Sequence, residues 1–167
     1  MQNGKLYIAE ALLSLMQSKP LQDISVKELV KKAGVSRMTY YRYFSSKEEI
    51  LSSYIEHIIA EYEKQVEQSD TNSFHSYEHA LSSLLFFQKY KTFALCLQHA
   101  GMERMLLDAL NNYVKKLSGF SSKKPVRAYS YYFYAGAFFN IYMQWIMEDT
   151  KTPATELASI ISRIHLL

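Results

Sequence analysis

Residues 33–51 read AGVSRMTYYRYFSSKEEIL, and the order of turn-former, cap and aromatic residues in this stretch decides the fold. Gly34 follows a helical run and supplies a turn where positive φ carries little steric penalty. Ser36 then caps a short helix running to about Phe44, and Ser46 with Glu49 forms a capping box that opens a long helix to about Gln68. Upstream, Ser25 and Glu28 make a second box, followed by Val26, Leu29, Val30 and Ala33 at i, i+3, i+4 and i+7. Two short helices joined by a tight glycine turn have the spacing of a helix-turn-helix. On the second helix Tyr40 and Phe44 point to one side as core. Arg37 and Tyr41 share another face, with Thr39 and Tyr43 beside it, and no carboxylate interrupts them. Such a surface offers guanidinium, hydroxyl and methyl groups, the chemistry that base edges and phosphates accept.

Outward from this stretch the pattern stays helical. Residues 5–18 place Leu6, Ile8, Ala9, Leu12, Leu13, Leu15 and Met16 at helical spacing, and Pro20 ends the run. Beyond the polar break Ser69–Ser73, helices are predicted at about 74–88, 91–98, 102–118, 126–148 and 153–166. Gly101, Gly119, Pro125 and the pair Thr152-Pro153 mark their ends, the last as a cap with proline at the first helical position. No run alternates as a strand does. The fold class is all-α, with a head at 1–47 and a body at 48–167.

Charge separates these two parts. The head holds eight Lys/Arg and three Asp/Glu, whereas the remainder holds eleven basic and thirteen acidic residues. A basic head on a nearly neutral body suits a protein whose head meets a polyanion. The single cysteine, Cys96, forms no internal disulfide, and the first twenty residues lack a cleavable leader pattern, so a cytoplasmic location is expected.

The segment Ala33–Leu51 resembles the signature of the TetR family, A-G-V-S-x-x-T-[LF]-Y-x-[HY]-F-x-[SN]-K-E-x-L. Ala33, Gly34, Val35, Ser36, Thr39, Tyr41, Tyr43, Phe44, Lys47 and Glu48 match it, Leu51 lies one position past its final Leu, and Ile24–Val30 resembles the preceding helix. The resemblance covers roughly residues 5–55. It implies base contacts from Ser36, Arg37, Met38 and Thr39, and phosphate contacts from Tyr41, Tyr43 and Lys47. Lys27 is implied as a base or phosphate contact, with Ser25 at the same helix start and Arg42 as an added charge. Tyr40 departs from the usual Leu or Phe, and Met38 stands where Gly or Pro is common; both bear on which bases are preferred. The implied protein is a transcriptional regulator, a repressor, that binds a palindromic operator in double-stranded DNA as a homodimer and is released by a small-molecule effector. No cofactor is implied.

The body offers residues for the last two roles. Phe86, Tyr90, Phe93, Met102, Met105, Tyr134 and Phe138 are candidates to line an apolar effector cavity. In TetR-like bodies the last two long helices pair between subunits, which points to Phe139, Tyr142, Ile146, Leu157, Ile161 and Ile164 as the dimer interface. Residues 128–147 form twenty uncharged positions, long enough for a membrane span. Five tyrosines with Ser130, Asn140 and Gln144 argue instead for a buried helix, since each would need a partner in lipid.

Two other readings compete with this one. An effector-free DNA-binding protein differs only in the body, and a cavity closed by side chains favours it. His75-Ser76-Tyr77-Glu78-His79 matches the H-x-x-E-H pattern of inverted zinc proteases, but no third ligand or cleft is announced. Ser121–Lys124 fits S-x-x-K in a loop without partner motifs, and Cys96 lies in an apolar helix unsuited to a thiolate. The chain is read as a non-enzyme.

Overall fold

A computed structural model describes residues 3–67, 76–117 and 125–163. Nine α-helices and no strand occur among them: α1 (Asn3–Met16), α2 (Val26–Ala33), α3 (Arg37–Tyr43), α4 (Lys47–Glu67), α5 (Tyr77–Gln88), α6 (Lys91–His99), α7 (Arg104–Leu117), α8 (Pro125–Met147) and α9 (Ala154–Arg163). A single 3-10 turn, Leu21–Asp23, follows Pro20.

The helix starts follow the caps in the sequence, with two changes of partner. Ser25 Oγ accepts the Glu28 N–H at 3.2 Å, but the Glu28 carboxylate pairs with Lys19 rather than with Ser25. Ser46 Oγ accepts the Glu49 N–H at 3.1 Å, while the Glu49 carboxylate takes the N–H and hydroxyl of Ser45, both at 2.7 Å. Those bonds hold the Glu49 carboxyl below its ordinary range. At α9 the cap sits one residue later than expected. Pro153 is not the first helical residue, for its carbonyl accepts from Glu156 and Leu157, and Thr152 O is taken by the Trp145 indole N–H at 2.8 Å.

α1 lies across α2, α3 and α4 and also touches α6, so the head is clamped around one helix. Ile8, Leu12, Leu29, Tyr40, Phe44 and Ile50 fill its centre. This apolar cluster continues without a break along α4 through Ile55, Ile58 and Tyr62 to Phe86, Phe93 and Leu97 of the body. Packing therefore does not divide the chain at residue 47. A second cluster joins α5, α8 and α9 through Ala80, Leu84, Phe138, Ile146, Ala158 and Ile161. α4 packs on α7, α7 on α8, and α5 on α9. α4 is the element common to the head's core and the body's cavities.

Candidate nucleic-acid interface and effector cavity

The turn between α2 and α3 is built as its sequence demands. Gly34 adopts φ 65°, Val35 N–H reaches back to Val30 O at 3.0 Å, and the chain re-enters a helix at once. Ser36 Oγ accepts the Thr39 N–H at 3.0 Å and meets Thr39 Oγ1 at 2.9 Å. Tyr40 and Phe44 are buried beneath, which fixes the rotation of α3 and turns its remaining residues outward.

The exposed side chains on α3 are Met38, at 82%, and Tyr41, at 64%, together with Arg37 and Arg42. Arg42 is preorganised: its guanidinium lies 4.8 Å from the centre of the Tyr43 ring and donates to the Tyr43 hydroxyl at 3.2 Å. On α2, Lys27, Lys31 and Lys32 are exposed. The hydroxyls of Ser25, Ser36 and Thr39 are all engaged locally as caps or cap partners.

Lys47 stands differently from its expected role. Its ammonium donates to the carbonyls of Leu21, Gln22 and Ile24, the last at 3.0 Å, tying the start of α4 to the connector before α2. Of the eight head cations, Lys19 and Lys47 are thus engaged within the head. Lys5 is the residue the sequence reading missed. Its Nζ lies 5.9 Å from the Tyr43 ring centre and 5.6 Å from that of Phe44. It adds positive charge beside α3 from another helix. Gly4 makes the approach possible, since a Cβ there would meet Tyr43 Cε2 at 3.2 Å. A Gly-Lys pair at the start of an amphipathic first helix was the available signal.

Among the described residues of the body are two small cavities. One, of about 40 Å³, is apolar and bounded by Ile55, Ile58, Phe93, Leu106, Phe138 and Tyr142, with Tyr90 at its edge. The other, of about 30 Å³, lies farther from the head among Tyr62, His79, Ser83, Tyr113, Tyr134 and Phe138. Of the expected cavity residues, Tyr90, Phe93, Phe138 and Tyr134 line one or other space. Phe86 packs against Tyr62 instead, their ring centres 5.2 Å apart, and Met105 borders an open groove between α4 and α7. Met102 packs at the edge of the head's cluster.

The residues expected at a dimer interface lie at different depths in the single chain. Tyr142, Ile146 and Ile161 are buried within one chain, Ile161 at 3% exposure, and Tyr142 donates its hydroxyl to Phe87 O at 3.0 Å. Phe139 borders the apolar cavity and Leu157 packs on the second cluster; Ile164 lies outside the described residues. The face of α8 that remains open carries Tyr129, Phe133, Asn140, Gln144 and Met147, and α9 adds Ile160. No described helix is long and apolar enough to cross a membrane. His79 is buried with its Nε2 3.2 Å from the Tyr62 hydroxyl, while Glu78 points outward, so the two do not converge. His75 and the S-x-x-K stretch lie outside the described residues.

Comparison with known proteins agrees with this geometry. Residues 8–54 match the profile of bacterial regulatory proteins of the tetR family, and residues 75–165 match that of a transcriptional regulator C-terminal region. The chain belongs to the TetR family. EthR of Mycobacterium tuberculosis, an HTH-type transcriptional regulator, is 46% identical over 46 residues, which is 28% of this chain and 21% of EthR. DhaS of Lactococcus lactis, the dhaKLM operon transcriptional activator, is 43% identical over 54 residues, 32% of this chain and 29% of DhaS. These alignments span less than a third of either relative.

Solved structures resemble this TetR-family chain over nearly its whole length. A dihydroxyacetone kinase operon activator DhaS superimposes with a TM-score of 0.65 at 23% identity, covering 95% of this chain and 91% of that one. The fatty acid degradation regulator FadR from Bacillus halodurans gives 0.66 at 14% identity, covering 96% and 93%. At these identities the likeness carries the fold. The protein is a DNA-binding transcriptional regulator with an N-terminal helix-turn-helix head and an all-α body.

Proposed function

We propose that this TetR-family regulator acts as a homodimer whose two α3 helices enter successive major grooves of a palindromic operator. The observation that carries this reading is the outward face of α3. Arg37, Met38, Tyr41 and Arg42 stand exposed on a rigid, capped helix, with Lys27, Lys31 and Lys32 exposed on α2. Two copies are needed because a seven-residue helix reads few base pairs, and symmetric pairing doubles the site. The open face of α8 supplies the contact: Phe133 is 54% exposed and Tyr129 73% exposed, with Ile160 of α9 alongside. Ser25, Ser36 and Thr39 shape the reading head through their caps. Lys47 positions α4 and the connector instead of holding a phosphate.

The regulator is proposed to repress, by occupying promoter DNA, and to be released when a small molecule spreads the body around α4. That helix begins in the head and lines both internal cavities, so separating it from α7 moves the head it carries. DhaS is named an activator, so the sign is tested directly. A reporter placed behind the operator should rise in expression when the regulator is deleted; a fall would make it an activator. Sedimentation of the purified protein should give two chains per particle, and a monomer that binds DNA with full affinity would contradict the dimer.

A second reading has one observation in its favour. Cavities of about 40 and 30 Å³ are far below the several hundred Å³ that a drug-sized ligand occupies. In that reading the body is a filled core and DNA binding is constitutive.

A further inference from the structure

DNA recognition makes no use of the buried polar cluster at the far end of α4. Ser83 donates its hydroxyl proton to His79 O at 2.7 Å. Tyr62 and Ser83 oxygens are 2.6 Å apart, so the Tyr62 hydroxyl donates to Ser83 Oγ. The Tyr62 oxygen then accepts from His79 Nε2 at 3.2 Å, which assigns the proton to that ring nitrogen. Tyr62, His79 and Ser83 are each at least nine-tenths buried. Burial pushes the Tyr62 hydroxyl up to about 12, so it stays protonated. In this relay every proton is assigned, and what Tyr62 and Ser83 still present to the cavity is a lone pair on each oxygen.

That polar edge faces an apolar space. Phe87, Leu110 and Phe138 wall both the cavity beside Tyr62 and the larger apolar cavity, so the two are one site divided by three side chains. No Lys or Arg lies among the described residues lining either part. The groove between α4 and α7 shares Ile55, Ile59 and Ala109 with the apolar cavity, which gives the site a route to solvent. Its rim carries Glu56, Glu63 and Asp108 against one cation, Lys116, already 3.0 Å from Glu63.

We propose that the body's effector site takes an uncharged, phenol-like molecule, whose ring displaces Phe87 or Phe138 and whose hydroxyl donates to the Tyr62–Ser83 pair. This rests on the effector reading given above and names its chemistry. A carboxylate of the same shape gains no proton from the Tyr62–Ser83 pair, and it would lose water with no Lys or Arg among the described lining residues to replace it. The aromatic walls favour a ring, which finds edge-to-face partners in them.

The test is a calorimetric titration of the full chain with three probes of one shape, 4-methylphenol, toluene and 4-methylbenzoate. 4-Methylphenol should bind roughly tenfold tighter than either of the others, about the worth of one buried hydrogen bond. Phe138→Ala should tighten its binding several-fold by joining the two spaces. Ser83→Ala should erase the preference over toluene without changing toluene itself, and Tyr62→Phe serves the same purpose if that variant fails to fold. Equal binding of all three probes overturns the proposal. So does a phenol preference that survives these substitutions, or binding of no probe to wild type and Phe138→Ala alike. A parallel DNA titration separates the two claims: 4-methylphenol that binds but leaves operator affinity unchanged supports the ligand class and contradicts release by an effector.

Discussion

In the proposed complex Arg37 and Met38 carry the sequence preference of the head, because they are exposed at the start of α3 where a recognition helix meets base edges. Lys27, exposed on α2 and expected as a base or phosphate contact, is proposed to act through its charge. Lys27→Ala should weaken binding to all duplexes alike and reduce the salt slope by about one unit. Lys47→Met belongs to another class. It removes an ammonium from three carbonyls, so chemical denaturation should show a loss of about 1.5–3 kcal/mol, with the salt slope almost unchanged in protein that remains folded. A full unit lost from the salt slope, at unaltered stability, would return Lys47 to the phosphate contacts. The residue identities of the head were legible because signature positions carry special backbone or cap chemistry, as Gly34 and Ser36 do. The partner of Lys47 was not, since Leu21, Gln22 and Ile24 lie more than twenty residues away and offer only carbonyls, which leave no mark on the sequence.

The helices themselves were legible from caps and breakers, to within a residue or two at most ends. Their rotation was legible only where polar and apolar faces differ. α2 has that contrast, with Leu29 and Val30 buried and Lys27, Lys31 and Lys32 exposed. α8 does not: Tyr129 and Phe133 stand outside while Phe138, Tyr142 and Ile146 stand inside, so periodicity gave a helix without a phase. That is why Ile146 looked like an interface residue; on α9 a wide apolar stripe suggested Ile161, which turns inward while Ile160 turns outward. Buried as it is, Ile161→Asp should unfold the body, measured as loss of the cooperative thermal transition. Ile160→Asp and Phe133→Glu should keep the melting transition and shift the sedimenting mass from two chains to one. If Ile161→Asp instead gave a folded monomer, the orientation of α9 described above would be wrong.

At the scale of the whole molecule, one apolar cluster links head and body along α4, and in the proposed function this continuity couples a ligand in the body to DNA at the head. The division at residue 47 was drawn from charge, and charge does follow it, but packing does not, because Ile50 and Leu51 complete the head's core from α4. Cavity positions were only partly legible, since aromatic and Met residues fill ordinary core as readily as they line a space, as Phe86 does. The proposed dimer uses surface left uncovered on α8 and α9, and its two α3 helices should stand about one DNA turn apart, roughly 34–36 Å, or a small multiple of it. The most direct measurement is selection of random duplex DNA by the wild-type chain and by Arg37→Ala, sequenced side by side. The wild type should enrich two inverted half-sites. Arg37→Ala should relax the choice at one or two positions in each half, at a cost of about 1–3 kcal/mol, and leave the other positions intact. Enrichment of a single unpaired half-site, or an unchanged base preference in Arg37→Ala, would contradict a dimer that reads DNA through α3.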